Sequence, residues 1–286
     1  MYDILIIGSG PAGLSAAVAA QGRGRKCLVI SNSWEDNPLS KAPVIDNYLG
    51  MPGVSGRDMM EQFEKHALDM GAEIRTGKVL TAMAMDGTVW LTVGSDVIEG
   101  KQLILTTGIQ RGVKYPGEEA LVGRGVSYCA SCDGMLYRNR PVIVIGRAKD
   151  APHEANYLKQ IGCQVIYVSP QAPEGLDESI PFVKARRLEV LGEDKVTGIL
   201  ADGRELPCEG LFILRETVAP NDLFPDLELE EGYIKVNRRM ETNLPGIYAA
   251  GDCTGKPLQI SKAVGEGLIA GQAAAEALEQ QEKERK

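Results

Sequence analysis

Hydrophobic positions near the start of the chain form two short unbroken runs separated by a stretch of small residues. Ile4-Leu-Ile-Ile7 is an apolar, largely β-branched run that stops at a glycine, the pattern of a parallel strand buried on both faces. Leu14-Ser-Ala-Ala-Val-Ala-Ala20 reads as a small-residue helix, and Lys26-Cys-Leu-Val-Ile30 as the next strand. The order returns later: Pro141-Val-Ile-Val-Ile145 predicts a strand, a helix starts near Asp150 with Pro152 in its first turn, and Gln164-Val-Ile-Tyr-Val168 is a strand again. An amphipathic helix is expected over about 57–70, a strand at Leu103-Ile-Leu105 and a helical run from about Ile260 to Leu278. The chain therefore reads as α/β, with two halves that weakly echo each other.

At 286 residues there is room for one large or two ordinary domains. Hydrophobic residues at 44% and charged residues at 24% fit a globular protein in water. No run approaches the roughly 18 apolar residues of a membrane span, and the opening Met1-Tyr2-Asp3 lacks the basic start of a secretion signal. The six cysteines include one close pair, which suggests a reducing, cytoplasmic setting and one functional dithiol. A net charge of −8 argues against nucleic acid as a partner. Within it, Arg111, Lys114, Arg124, Arg138, Arg140, Arg147 and Lys149 form a basic segment, either a solvated face or a docking patch for a small acidic protein.

After the first strand comes Gly8-Ser9-Gly10-Pro11-Ala12-Gly13. Between a strand and a helix this spacing points to a dinucleotide: Gly8 permits the turn, Gly10 lets a pyrophosphate reach the backbone, and Gly13 lets helix and strand pack closely. The helix N-terminus then faces the phosphates. The acidic residue expected about 20 positions on, to hold the ribose hydroxyls, is missing; the second strand ends in Ser31-Asn32, and Glu35 and Asp36 come late. Thr106-Thr107-Gly108 closes another strand, and Gly246-Ile-Tyr-Ala-Ala-Gly251-Asp252 precedes the C-terminal helix.

The close pair is Cys129-Ala-Ser-Cys132-Asp133. Such a dithiol can close into a reducible disulfide, and an adjoining acid can manage protons during exchange. Zinc uses the same spacing but needs two more ligands, and Cys163, Cys208, Cys253, His66 and His153 are dispersed singly. Asp133 and Gly134 suit a turn opening a helix rather than a core. The expectation is a redox dithiol and no metal, with Cys27, Cys163, Cys208 and Cys253 as small core residues.

Through GSGPAG, Asp46-Asn47-Tyr-Leu-Gly50, SYCASCDG and YAAGDCTGKPLQ, nearly the whole chain resembles the low-molecular-weight thioredoxin reductase family. The resemblance implies two Rossmann-like domains, the second inserted in the first: an FAD domain over 1–112 and 243–286, and an inserted domain over 113–242, with joints near 111–117 and 240–244. It implies a homodimer. It assigns FAD contacts to Ser9, Gly10, Pro11, Ala12, Asn47, Thr107, Gly251, Asp252 and Gln259, beside Gly8, Gly13, Gly108 and Ile260. Asp252 would accept bonds from the ribityl chain, and the following helix would point its positive end at the flavin. Cys132 would face the flavin, Cys129 would exchange with the disulfide of thioredoxin or a thioredoxin-like protein, and Asp133 would act as acid and base.

The second glycine turn departs from the family. In Gly146-Arg-Ala148-Lys-Asp-Ala151 a methyl group at Ala148 stands where a dinucleotide would meet backbone. The next strand ends in Ser169-Pro-Gln-Ala-Pro173, without the family's basic cluster for the 2′-phosphate of NADPH, and Phe212-Ile-Leu-Arg-Glu-Thr217 replaces a glycine-bearing strand end. Three losses at one ligand predict a scaffold without nicotinamide binding. The combination resembles the flavin thioredoxin reductases that lack NADPH motifs, the ferredoxin-dependent and deeply rooted types. The expected function is FAD-dependent disulfide reduction with electrons from ferredoxin or another donor. The alternatives are an ordinary NADPH-dependent thioredoxin reductase, a diflavin-linked oxidoreductase and a redox sensor that does not turn over.

Overall fold

The computed structural model describes residues 1–32, 37–108, 114–128, 130–215 and 220–284, with Pro38 and Cys132 described by their backbone alone. The chain divides into two compact units, Met1–Gln110 with Ala219–Lys286, and Arg111–Val218. The first unit opens with β1 (Tyr2–Ile7), α1 (Pro11–Gly22), β2 (Cys27–Ser31) and α2 (Gly56–Asp69). Four strands follow: β3 (Glu73–Thr76), β4 (Val79–Met85), β5 (Thr88–Val93) and β6 (Asp96–Leu105). The second unit contains β7 (Val126–Ser127), α3 (Ala130–Asp133), β8 (Pro141–Gly146), α4 (Ala151–Gln160), β9 (Gln164–Ser169) and β10 (Phe182–Lys184). It ends with β11 (Leu188–Gly192), β12 (Val196–Ala201), β13 (Arg204–Pro207) and β14 (Gly210–Leu214). The chain then returns through α5 (Pro220–Leu223), β15 (Leu229–Glu230), β16 (Tyr233–Ile234), β17 (Ile247–Ala249) and α6 (Ile260–Glu284).

The first sheet runs β3-β2-β1-β6-β5-β4, parallel through β6 and antiparallel beyond it. Strand β6 changes partner along its length. Its first half pairs with β5, whereas Leu103–Leu105 pairs in parallel with β17. Ile4, Leu5 and Ile6 are fully buried, as their unbroken apolar run requires. Helices α1 and α6 pack through small residues: a Cβ on Gly267 would lie 2.1 Å from the Ala12 carbonyl oxygen, and one on Gly271 2.5 Å from that of Ala16. The Ser15 hydroxyl donates to Val264 O across the same contact (2.7 Å).

Two expectations about the C-terminal part are corrected. The return to the first unit comes at 219, not 243, because the segment from 220 is tied there. Met240 is buried in the core with Tyr248, Ala249 N donates to Met240 O, and Asn243 accepts from Glu228 N. The segment 240–244, expected to be a joint, is thus partly core. Helix α6 continues to Glu284, where Arg25 donates to both Glu282 carboxylate oxygens (2.6 and 3.1 Å) and Arg23 pairs with Glu276 and Glu279.

The second unit has its own parallel sheet, β10-β9-β8-β14-β7, and an antiparallel sheet, β11-β12-β13. Among its core residues sits a charge. Glu118 is completely buried and is gripped by Arg215 through two 2.7 Å bonds, one to each carboxylate oxygen. Tyr115 N and the Tyr128 hydroxyl also donate to it. Burial alone would raise this carboxyl, but the Arg215 guanidinium and the added donors hold it below the ordinary carboxylate range. A group so depressed stabilises the fold above its unfolded pKa, about 4.3, and that contribution disappears as pH falls through the folded value. Arg215→Met leaves the carboxylate unpaired and is expected to cost about 3–5 kcal/mol near neutrality. Denaturant unfolding from pH 7 to pH 3 should show that loss shrinking with acid, and a loss independent of pH would contradict it.

Candidate functional site

Adjacent parallel strands bring three sequence-distant turns to one edge of the first sheet. Ile7 is in register with Leu105, and Leu105 with Ala249, so the turns after β1, β6 and β17 emerge side by side at the carboxyl ends, where α/β sheets bind ligands. The glycines are required by space. Gly8 has φ +111°, and a Cβ there would lie 2.3 Å from Thr106 O; one on Gly13 would lie 1.9 Å from Gly8 O. The Thr106 hydroxyl is shared between Ile7 O and Gly8 O (2.8 and 3.0 Å), tying the turn to β6. Helix α1 starts at Pro11 after Gly10 with no side chain capping it, leaving first-turn N–H groups for an anion. Ser9 and Ala12 are buried in this turn.

Beside it, the Thr107 hydroxyl oxygen is buried without a hydrogen-bond partner among the described residues, next to Gly108 at φ +67°. An orphaned polar atom at the strand-end edge fits a polar ligand that completes it. Asn47 Nδ2 donates to Gln259 Oε1 (3.1 Å), joining two predicted contacts 212 residues apart, and Ile260 opens α6 directly after. Asp252 is half buried and its carboxyl is raised, by burial first, with Lys262 opposing and Glu266 adding to the shift. The neighbouring Cys253 is buried, its thiol pushed up to about 12 by desolvation, as expected of a core residue. Glu35 and Asp36 lie outside the described residues.

Two groups here escape a reading of the sequence. Asn37 has its Oδ1 fixed by Leu39 N (2.9 Å), and its Nδ2 would lie 3.2 Å from a Cβ on Gly10, so this amide abuts the phosphate-approach glycine. Lys262 and Glu266, one turn apart on α6, both bond the backbone of Gly251. Sequence shows them only as an i,i+4 pair, which ordinarily means a solvated surface pair.

In the second unit, Cys129 lies outside the described residues and Cys132 is described by backbone alone, within α3. Their flanks are anchored. Tyr128 is bonded to Glu118 (3.0 Å), Ala130 N donates to Glu154 of α4 (3.2 Å), and a Cβ on Gly134 would collide with Leu158 and Ile161. Asp133, on α3, adds to the raised pKa of Tyr137, which is due first to burial. Just beyond, Met135 and Leu136 are exposed, 56% and 69%.

The strand-end edge of the second sheet is closed at its glycine turn. Arg147 N and Ala148 N both donate to Leu214 O (2.8 and 3.0 Å), which ties the start of the turn to β14. A Cβ on Gly146 would lie 1.8 Å from the Tyr167 hydroxyl, and Ala148 is buried in the core. Arg215, at the end of β14, is directed to Glu118 and lies over the Tyr115 ring, 5.3 Å from its centroid. Arg147 donates to the Tyr115 hydroxyl (2.6 Å), and Arg140 pairs with Glu209. Of the basic segment, Arg147 is thus drawn into the interior network and Arg140 is paired, while Arg111 lies outside the described residues.

The family model of the pyridine nucleotide-disulphide oxidoreductases matches residues 2–267. A thioredoxin reductase of Listeria monocytogenes is 34% identical over 302 residues, covering 98% of this chain and 95% of the relative. Among solved structures, a ferredoxin-flavin thioredoxin reductase from Clostridium acetobutylicum superposes with TM-score 0.89 at 42% identity over 98% of each chain. A thioredoxin reductase from Gloeobacter violaceus gives 0.80 at 29%, over 98% of this chain and 94% of its own. The uncapped α1 terminus, the obligatory glycines and the orphaned Thr107 hydroxyl fit the FAD that these flavoproteins carry. The chain belongs to the pyridine nucleotide-disulphide oxidoreductase family and is an FAD-dependent disulfide reductase of the thioredoxin reductase type.

Proposed function

We propose that the enzyme reduces thioredoxin or a thioredoxin-like protein through Cys129 and Cys132, drawing electrons from ferredoxin or another protein donor rather than from NADPH. The observation that carries the donor assignment is the closed edge of the second unit. Arg147 N and Ala148 N are bonded to Leu214 O, Ala148 is buried, and Arg215 is held inward by Glu118. A dinucleotide needs close approach to the backbone where the Ala148 methyl stands. The likeness to the Clostridium acetobutylicum ferredoxin-flavin enzyme supports the same donor class.

FAD, where bound, supplies the relay between the donor's electrons and the disulfide. The first unit's turns around Ser9–Gly13, Thr107 and Asp252 hold it, with Asn47 and Gln259 joined nearby. In the exchange, the Cys129 thiolate attacks one sulfur of the substrate disulfide, and the departing thiolate takes a proton from Asp133. The Cys132 thiolate then attacks Cys129, releasing the second substrate sulfur and leaving a Cys129–Cys132 disulfide to be reduced by two electrons. Met135 and Leu136, exposed directly after the dithiol helix, offer the apolar contact for the partner protein.

Cys132→Ser removes the resolving thiol. Reduced Cys132→Ser enzyme mixed with single-cysteine thioredoxin activated as its thionitrobenzoate mixed disulfide should release thionitrobenzoate and accumulate a covalent adduct, seen as a reductant-sensitive band on a non-reducing gel. Cys129→Ser should form none. Adduct formation by neither variant would overturn the assignment of the dithiol. Calorimetric titration with NADP+ is expected to give no saturable binding; a saturating isotherm would restore the nicotinamide reading.

A further inference from the structure

We propose that Lys262 and Glu266 are positioning residues for FAD, acting through the Gly251–Asp252 turn; this rests on the reading that the turn contacts the cofactor. The two side chains project from the first turns of α6 and take both polar groups of one peptide unit's residue. Lys262 Nζ donates to Gly251 O (2.8 Å), and Gly251 N donates to Glu266 Oε2 (2.9 Å). They are joined to each other at 3.0 Å, and both bond the Thr254 hydroxyl (3.0 and 2.7 Å), which also lies 2.7 Å from Gly251 O. Both side chains are largely buried, 15% and 18% exposed, so this pair is screened far less than an ordinary surface bridge.

The turn has no freedom on its other side. Gly251 sits at φ +87° and ψ −151°, and a Cβ there would lie 2.8 Å from the Ala12 methyl carbon on α1. The residue that follows is Asp252, whose carboxylate is to meet the ligand. Its direction is set by the two peptides that meet at Gly251, which Lys262 and Glu266 hold from either side together with the Thr254 hydroxyl. The charge balance follows the same logic. Lys262 favours the ionised Asp252 while Glu266 opposes it. Removing Lys262 leaves Glu266 facing Asp252 with no cation between them. Removing the Glu266 charge leaves Lys262 without its partner beside Gly251 O and weakens the acceptor for Gly251 N.

The test measures FAD release from the holoprotein as recovered flavin fluorescence on dilution, together with the flavin midpoint potential and the urea midpoint. Lys262→Met and Glu266→Gln should each weaken FAD retention on the order of ten- to hundredfold, as expected when a buried charged group loses its partner. Lys262→Met should also shift the flavin potential. The double variant should lose less than the product of the two single losses, and Lys262→Arg should restore most of the retention. Glu266→Asp shortens the side chain and lengthens the contact while keeping the charge, and should give an intermediate loss, which keeps the test open if Lys262→Met fails to fold. Unchanged FAD retention and potential alongside a lowered urea midpoint would make the pair merely structural and overturn the proposal. Asp252→Asn serves as the control: if it leaves retention unchanged, the turn does not contact FAD and the proposal falls with that reading.

Discussion

The approach of backbone to backbone around Ala12 is the constraint on which the first unit depends. A Cβ on Gly267 would lie 2.1 Å from the Ala12 carbonyl oxygen, and one on Gly251 would lie 2.8 Å from its methyl carbon. Helix α1, helix α6 and the turn after β17 thus meet at one small residue. No larger side chain fits, because interiors are already close-packed and cannot absorb an extra methyl without shifting their neighbours. The same economy of space recurs at Gly13 against Gly8, where strand and helix are drawn together around the phosphate turn. From these contacts follow the register of the strand ends and the unobstructed start of α1.

The second unit repeats the strand–turn–helix theme with the opposite outcome. Its turn commits the Arg147 and Ala148 N–H groups to Leu214 O, and its strand end carries an arginine that turns inward to a buried glutamate. Glu118 also accepts from Tyr128, the residue directly before Cys129, so the network that closes the edge is continuous with the segment that carries the dithiol. A buried ion pair is weak evidence of stability, since removing two charges from water is costly. Here it fills space that an open nucleotide turn would leave to a ligand, and it gives one flank of the dithiol a fixed anchor.

Much of this was legible in the sequence because it is written locally. Ile4–Ile7 and Pro141–Ile145 announce buried strands by their unbroken apolar runs, and the glycine spacing at 8, 10 and 13 is a direct statement about clearance. Ala148 revealed the damaged turn for the same reason. What was missed depends on partners far along the chain. Arg215 reads as a bulky misfit until Glu118, 97 residues away, is seen to receive it. Arg147 looks like a surface cation until Tyr115 takes its N–H. Lys262 and Glu266 have the spacing of a solvated pair, and only the fold shows them enclosed around Gly251. The last helix reads as ending near Leu278, because nothing local shows that Arg25, 257 residues away, holds Glu282.

The account stands or falls on where the flavin's electrons originate. Anaerobic reduction of the holoenzyme, followed at the long-wavelength flavin absorption band, should be compared with excess NADPH and with reduced ferredoxin in parallel. The closed edge of the second unit predicts a band that persists under NADPH and bleaches with ferredoxin. Rapid bleaching by NADPH would contradict it.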